Sequence, residues 1–127
     1  LNPSRYSLHY AVRTPLISEY APYWFTKSAT KLVTAAGSGA NIVTSYDPAV
    51  RVLLPKEYPY LIDTEVENFA PNYQKICNEM LLKVKETYKS KMWIEALDMM
   101  MSVKSKTDCF AICEQYVKLY NTLFDRA

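Results

Sequence analysis

The chain has 127 residues and is 50% hydrophobic, which suits one domain with its own core and excludes a disordered tail. Its net charge of +2, from 15 basic and 13 acidic residues, is too weak to predict a nucleic-acid-binding face. No apolar run approaches the ~18–20 residues that cross a bilayer, so no transmembrane span is predicted.

Residues 1–21 predict an extended N-terminal arm, because Pro3 and Pro15 interrupt them and no apolar period is sustained. Their basic, hydroxyl-rich and acid-poor composition is typical of mitochondrial transit sequences, although a surface arm of arbitrary composition is the favoured interpretation. The sequence begins with Leu1 and not with Met, which fits a processed mature form, a piece of a longer protein or a missing start.

Residues 22–36 predict a helix, with Pro22 in its first turn and Gly37 as its end. Its shared apolar face would consist of Phe25, Ala29, Leu32 and Ala36. The segment Gly37-Ser38-Gly39 has no predicted strand before it, no helix directly after it and no Gly-Lys-Ser/Thr sequence. A phosphate-binding loop needs a preceding strand, a following helix and, for a Walker-type loop, the Gly-Lys-Ser/Thr sequence. Because these are absent, we predict a flexible hinge.

Residues 40–63 predict an irregular, proline-rich link. Asp47-Pro48 can cap a short helix from Ala49 to Leu54, and the run from Val50 to Leu54 can instead form a strand. Because no second strand is predicted to pair with it, a turn of helix or an extended segment is favoured. A first half with so little periodicity is expected to drape over the surface of a neighbour.

From Thr64 onward the pattern becomes helical. Thr64-x-x-Glu67 is typical of a capping box, and Pro71 suits a first turn, so the first long helix is predicted from about Asn68 to Ser90. Steps of four, three, four and four place one apolar stripe on a single face of that helix. The stripe consists of Phe69, Tyr73, Ile76, Met80 and Val84.

Two more helical segments follow. The first is predicted from Lys91 to Val103, and Ser90 either caps it or lies inside one continuous rod. The second begins after a polar break, with Thr107 or Asp108 as its cap. Its stripe for packing against another helix consists of Phe110, Cys113, Val117, Tyr120 and Phe124.

The expected fold class is therefore all-α. An extended N-terminal arm and a short helix would be followed by a C-terminal helical hairpin or three-helix unit. Residues 1–63 would form the arm and linker, and residues 64–127 the helical domain.

The segment from Tyr88 to Met100, YKSKMWIEALDMM, resembles the middle of a tetratricopeptide repeat. Tyr88, Trp93 and Ala96 stand approximately where that family has its aromatic residues and its alanine. The glycine usual at the turn is absent, and no second copy occurs at a period of ~34 residues. The resemblance implies a helical hairpin of the protein-binding kind.

The three cysteines, Cys77, Cys109 and Cys113, all fall on predicted helices. Reduced, buried thiols in a reducing compartment are the favoured interpretation. Cys109-x-x-x-Cys113 would give half of a zinc site, but a full site needs four ligands and the chain offers only Cys77 and His9 besides. No metal and no cofactor is therefore predicted, and a small metal protein that uses Cys109 and Cys113 is one alternative.

No catalytic residues are predicted, because His9 is the only histidine and has no Ser or Asp partner in a recognisable set. The densest basic run contains Lys83, Lys85, Lys89 and Lys91. Helix-surface pairing with Glu79 and Glu86 is favoured there, and contact with a phosphate or a lipid headgroup at a membrane surface is the alternative.

The sequence therefore predicts a non-catalytic accessory subunit of a hetero-oligomeric protein complex, with a mitochondrial respiratory-chain or ATP-synthase complex as the specific guess. A helical adaptor that binds a peptide or helix of a partner is the other protein-binding alternative. Exposed aromatic and Met-rich faces would bind the other subunits. The expected partner-binding residues are Tyr6, Tyr10, Tyr23, Trp24, Trp93, Met99, Met101, Phe110, Val117, Tyr120 and Phe124.

Overall fold

A computed structural model of the chain describes residues 7–12, 28–64 and 69–124. Helices dominate it, but it also contains a small parallel β-sheet, so the prediction of an all-α fold is wrong. In chain order the elements are β1 (Leu8–Ala11), α1 (Thr30–Gly37), β2 (Asn41–Ser45), α2 (Pro48–Leu53), β3 (Leu61–Ile62), α3 (Phe69–Thr87), α4 (Lys91–Thr107) and α5 (Cys109–Phe124).

The three strands are parallel and lie in the order β1-β2-β3. Leu8 pairs with Asn41 at one end of the β1–β2 ladder, and Thr44 pairs with Leu61 on the other side of β2. All five residues of β2 are buried. The prediction of an irregular link over residues 40–63 is therefore wrong, because a parallel strand covered on both faces shows no alternation of polar and apolar residues by which the sequence would indicate it.

A tyrosine hydroxyl completes the hydrogen bonding of β2 where β3 has not yet begun. The backbone N–H of Thr44 donates to the carbonyl of Tyr60 over 3.2 Å. Nearer the start of β2, the N–H of Ile42 donates to the hydroxyl of Tyr58 over 2.9 Å. That hydroxyl lies 2.9 Å from the Ile42 carbonyl, to which it can donate in turn. The proline-rich segment before β3 is therefore fixed to the sheet by a side chain.

Helix α1 is shorter than predicted, and its end is an ordered turn. Residues 28 and 29 are not helical, and the earlier part of the predicted 22–36 helix lies outside the described residues. After α1, the N–H of Ala40 donates to the carbonyl of Ala35 (3.0 Å), and the N–H of Gly39 donates to that of Ala36 (3.1 Å). With Gly39 at φ 70°, these bonds form a Schellman motif. The prediction of a flexible hinge is therefore wrong.

The prediction of a short capped helix after Asp47 is confirmed. Helix α2 begins with Pro48 in its first turn, and a carboxylate oxygen of Asp47 accepts a hydrogen bond from the N–H of Val50 over 3.1 Å. The fixed φ of proline suits the first turn, and the carboxylate satisfies an N–H that has no partner inside the helix.

Residues 71–104 belong to two helices and not to one rod. The break falls at residues 88–90, where Lys89 adopts φ 61° and the hydroxyl of Ser90 accepts from the N–H of Trp93 over 3.4 Å. The predicted end of α4 at Val103 is wrong, because the helix continues through the polar residues that follow it to Thr107. Asp108 then caps α5, where its carboxylate accepts a hydrogen bond from the N–H of Ala111 over 2.9 Å. The predicted caps at Ser90 and Asp108 are thus confirmed.

The core lies between the sheet and two helices, α1 and α4. These helices pack on each other, and each of them also contacts β2. Tyr60 and Trp93 meet in it with ring centroids 5.7 Å apart. Helix α1, strand β2 and Tyr60 are therefore packed against the chain's own helix α4 and do not extend away from it. The division of the chain at residue 63 stays a prediction, and buried side chains from both sides of it form one cluster. These include Leu32, Ala35, Ala36, Ile42, Val43, Tyr60, Ala96, Met100 and Val103.

Candidate protein-docking surface

Helix α5 has no buried residue along its described length. Its largest contact is with α4, which it follows after a single capping residue. Phe110 is 83% exposed, Tyr116 70% and Leu123 65%. We call the α5 apolar face the set formed by Phe110, Ile112, Tyr116, Val117, Leu119, Tyr120, Leu123 and Phe124.

The α5 apolar face is broad and uncharged. At about 100° per residue, its side chains span an arc of roughly 180° around the helix. Glu114 and Lys118, the two charged residues of α5, lie outside this arc. Aromatic side chains present roughly 150–250 Å² each, so at the observed exposures the face offers on the order of 900 Å². The largest apolar patch of a typical monomer is roughly 300–600 Å², and patches above that size mark interaction sites.

Four of the predicted partner-binding residues lie on this face, namely Phe110, Val117, Tyr120 and Phe124. The other half of the arc contains Ile112, Tyr116, Leu119 and Leu123, which were not predicted as partner-binding residues. Tyr116 and Leu123 could have been predicted, because with Cys109, Cys113 and Tyr120 they also follow helical steps of four and three.

The remaining predicted partner-binding residues are dispersed. Tyr10 on β1 and Met101 on α4 are exposed, by 51% and 50%. Met99 packs partly against the core. Trp93 is only 5% exposed and meets Tyr88 edge to face, with ring centroids 5.0 Å apart, so its ring belongs to the interior. Three further predicted residues, Tyr6, Tyr23 and Trp24, lie outside the described residues.

The thiols differ in their surroundings. Cys109 and Cys113 are exposed, so the prediction that they are buried is wrong, while Cys77 is half-buried; all three are free. The hydrogen bond to Cys109 raises the pKa of Cys113 above its ordinary value. The sulfur of Cys77 lies 3.6 Å from the hydroxyl of Tyr10, and partial burial, followed by this hydrogen bond, raises the pKa of Tyr10. Within the described ranges, no group of three or more His, Cys, Asp or Glu side chains is placed to hold a metal ion.

A second region with chemical potential lies where β2 and β3 end. Parallel strands bring their carboxyl ends to one edge of the sheet, where Ser45 ends β2, Asp47 follows it, and Thr64 follows β3. Thr64 is 1% exposed, and its hydroxyl has no hydrogen-bond partner within the part of the chain that the structure describes. Ligands of open α/β sheets bind outside the carboxyl ends of the strands.

The basic run on α3 and α4 is partly engaged in the fold. The ammonium group of Lys83 donates to the carbonyl of Pro59 over 2.8 Å and so ties α3 to the segment before β3. Lys91 and Glu95, both exposed, form a 3.7 Å ion pair one turn apart on α4. Pairs of this kind at a surface stabilise a helix only slightly.

None of the described helices is both long and apolar enough to pass through a membrane. No protein-family model matches the sequence, no curated protein is significantly similar to it, and no solved structure matches it.

Proposed function

We propose that this chain is a non-catalytic accessory component of a larger protein assembly and that it binds a neighbouring subunit through the α5 apolar face. The observation that carries the proposal is the exposure of that whole face on a helix with no buried residue. Exposed apolar surface of this extent is costly in water, and burial against a partner removes that cost.

The composition of the face also defines the chemistry of the partner surface. No charged side chain lies on it, so a partner can cover it without burying an unpaired charge. An apolar stripe that faces a single helix is narrower than about 100°, so an arc of roughly 180° is suited to a groove between two helices. The partner surface we propose is an uncharged helical groove lined by aliphatic and aromatic side chains.

The assembly that we propose is a mitochondrial respiratory-chain or ATP-synthase complex. Its support is the basic, acid-poor composition of residues 1–21. Fractionation of cells that carry the tagged chain tests this part by itself, and recovery of the protein outside mitochondria would contradict it.

Site-specific photo-crosslinking tests the docking surface. A photoreactive phenylalanine analogue replaces Phe110 on the α5 apolar face in one variant and Gln115 on the polar side of the same helix in the other. We expect one dominant adduct with a defined subunit from Phe110 and a far smaller yield from Gln115. Equal yields from the two positions, or many unrelated adducts, would contradict the proposal. A chain that purifies alone as a stable, soluble monomer would favour the adaptor alternative.

The edge of the sheet favours a second candidate function, the binding of a polar small molecule at the carboxyl ends of β2 and β3. Its support is the buried Thr64 hydroxyl together with the general placement of ligands in parallel sheets. Thermal-shift measurements with nucleotides and other polar metabolites test it. A ligand of this site should raise the melting temperature of the native chain and lose most of that effect in Thr64→Val.

A further inference from the structure

Two thiols lie in the middle of the α5 apolar face. Cys109 and Cys113 are one helical turn apart, and both are exposed. Together with Tyr116, Tyr120 and Leu123 they form a seam with steps of four, three, four and three, the spacing by which two helices pack side by side. The seam runs along the centre of the arc, so whatever covers this face also covers the thiols.

A thiol pair on one helix is half of a tetrahedral zinc site. Zinc in structural sites takes four ligands, and four cysteine thiolates are a common set. In the described residues no third ligand lies beside this pair. A second α5 aligned in parallel with the first would bring its own Cys109 and Cys113 to the same level of the seam. An antiparallel pair would instead leave the two thiol pairs near opposite ends of helices that are ~24 Å long.

Area, charge and the thiol pair together define how a second copy can be held. A stable protein interface buries about 800 Å² per partner, and the central seam offers only part of the roughly 900 Å² of the whole face, so the shared metal ion has to supply the rest of the free energy of association. No like charges meet on the seam, because Glu114 and Lys118 lie off it. Zinc bound by four cysteines releases four protons to solvent and leaves a complex with two net negative charges. Lys104 and Lys106, in the last turn of α4 just before Cys109, place positive charge near it.

We propose that two copies of the chain pair through parallel α5 helices and share one zinc ion held by Cys109 and Cys113 of each copy. The inference rests on the proposed function, since it uses the same face and names a second copy as the occupant of its central seam. A two-helix seam covers only part of the arc, so the flank that contains Phe110 and the flank that contains Leu119 stay accessible to another subunit.

Titration of the full-length chain with cobalt tests the shared site. Cobalt(II) replaces zinc in thiolate sites and gives intense sulfur-to-metal charge-transfer absorption. We expect the signal of the reduced, metal-free chain to saturate at about half an equivalent of metal per chain, as one four-ligand ion between two chains requires. Sedimentation should show the mass doubling with zinc and returning to that of one chain when a chelator is added.

Cysteine variants supply the controls. Cys109→Ser and Cys113→Ser should each abolish the absorption and the doubling of mass, whereas Cys77→Ser should leave both unchanged. The thiol variants should fold normally, because α5 has no buried residue. Saturation at one metal per chain, no metal binding, or pairing that occurs only without reductant would each overturn the shared site.

The proposed function and the zinc site fail in different ways. If the thiol variants keep the photo-crosslink from Phe110 to a different subunit while no metal binds, the zinc inference is wrong and the docking proposal stands. If zinc joins two chains but Phe110 is crosslinked only to a second copy of the chain, the zinc inference stands and the accessory-subunit proposal is wrong.

Discussion

Three buried hydrogen-bonding groups of β2 converge on one hydroxyl. The Oη of Tyr58 lies 2.9 Å from both the N and the O of Ile42 and 3.2 Å from a side-chain oxygen of Asn41. The amide nitrogen of Asn41 in turn donates to the carbonyl of Trp93 over 3.1 Å, which links the sheet to α4. Buried polar groups joined in this way stabilise one arrangement, because each loses its partner if the others move.

Tyr58→Phe should therefore destabilise the fold although it keeps the ring. It leaves the N–H of Ile42 buried without its partner, which costs about 1–3 kcal/mol of the free energy of unfolding. Urea unfolding measures the loss. The matched control is Tyr116→Phe on the exposed α5, which should change the free energy of unfolding by less than about 0.5 kcal/mol. Equal effects at the two positions would contradict the role given to the hydroxyl.

The same hydroxyl predicts a pH dependence. Burial is the main cause that raises the pKa of Tyr58 above the ordinary value of 10.0. The folded chain therefore keeps this proton at a pH where the unfolded chain has lost it, and the stability it contributes is complete below pH 10.0 and is lost as the pH rises above that value. As the pH rises from 8 to about 11, the free energy of unfolding should therefore fall more steeply in the native chain than in the Tyr58→Phe variant.

The two glycines of the Gly37-Ser38-Gly39 turn should respond in opposite ways to alanine. Gly39 has φ 70°, where an alanine costs about 1–2 kcal/mol of stability. Gly37 is helical, and its added methyl group would have no atom within 4 Å, so Gly37→Ala should stabilise by about 0.5–1 kcal/mol. Thermal unfolding of the two variants measures both signs, and destabilisation of the same size in both would show that the turn is not a Schellman motif.

Helices were predictable from this sequence and strands were not. The three C-terminal helices have long runs at helical spacing, and their caps at Ser90 and Asp108 are local signals that the sequence alone contains. The strand β2 is fully buried and so has no alternation, while β3 has only two residues. Their pairing depends on residues far apart in the chain, such as Thr44 and Leu61, and no local pattern indicates it.

At the docking surface, periodicity indicated an apolar stripe but not its environment. Trp93 and Phe110 both belong to apolar stripes at helical spacing, yet Trp93 is packed inside and Phe110 is exposed. The difference arises because α4 packs on α1 and β2, whereas α5 lies beyond them. Such packing is set by the arrangement of whole elements, so the stripe alone could not distinguish a core residue from a docking residue.

Alanine at these two aromatic residues should separate the roles of α4 and α5. Trp93→Ala removes a large buried ring and should cost about 3–5 kcal/mol of the free energy of unfolding. Phe110→Ala should change that free energy by less than about 0.5 kcal/mol, since the ring touches little of the fold. Chemical unfolding measures both, and a large loss in Phe110→Ala would mean that α5 is part of the folded core.

At the scale of the whole molecule, the sheet layer and the helical layer depend on each other. Helix α4 turns Ala96, Met100 and Val103 towards the interior, where α1 presents Ala35 and Ala36, and all five are almost completely buried. The small alanines let the two helices approach closely, and the aromatic residues of the β3 region fill the space beside them. Without the other, neither the sheet nor the packed pair of helices α1 and α4 would bury its apolar side chains.

Two truncations test this mutual dependence. Residues 64–127 alone should form helix but expose the face of α4 that packs on α1 and β2, and so should melt without a sharp transition. Removal of residues 109–127 should leave cooperative unfolding intact, because the described part of that segment has no buried side chain. Circular dichroism against temperature distinguishes the two outcomes. A sharp transition in the 64–127 fragment would show that the helical half folds on its own, as the division at residue 63 predicts, and that its contact with the sheet is an interface between two domains.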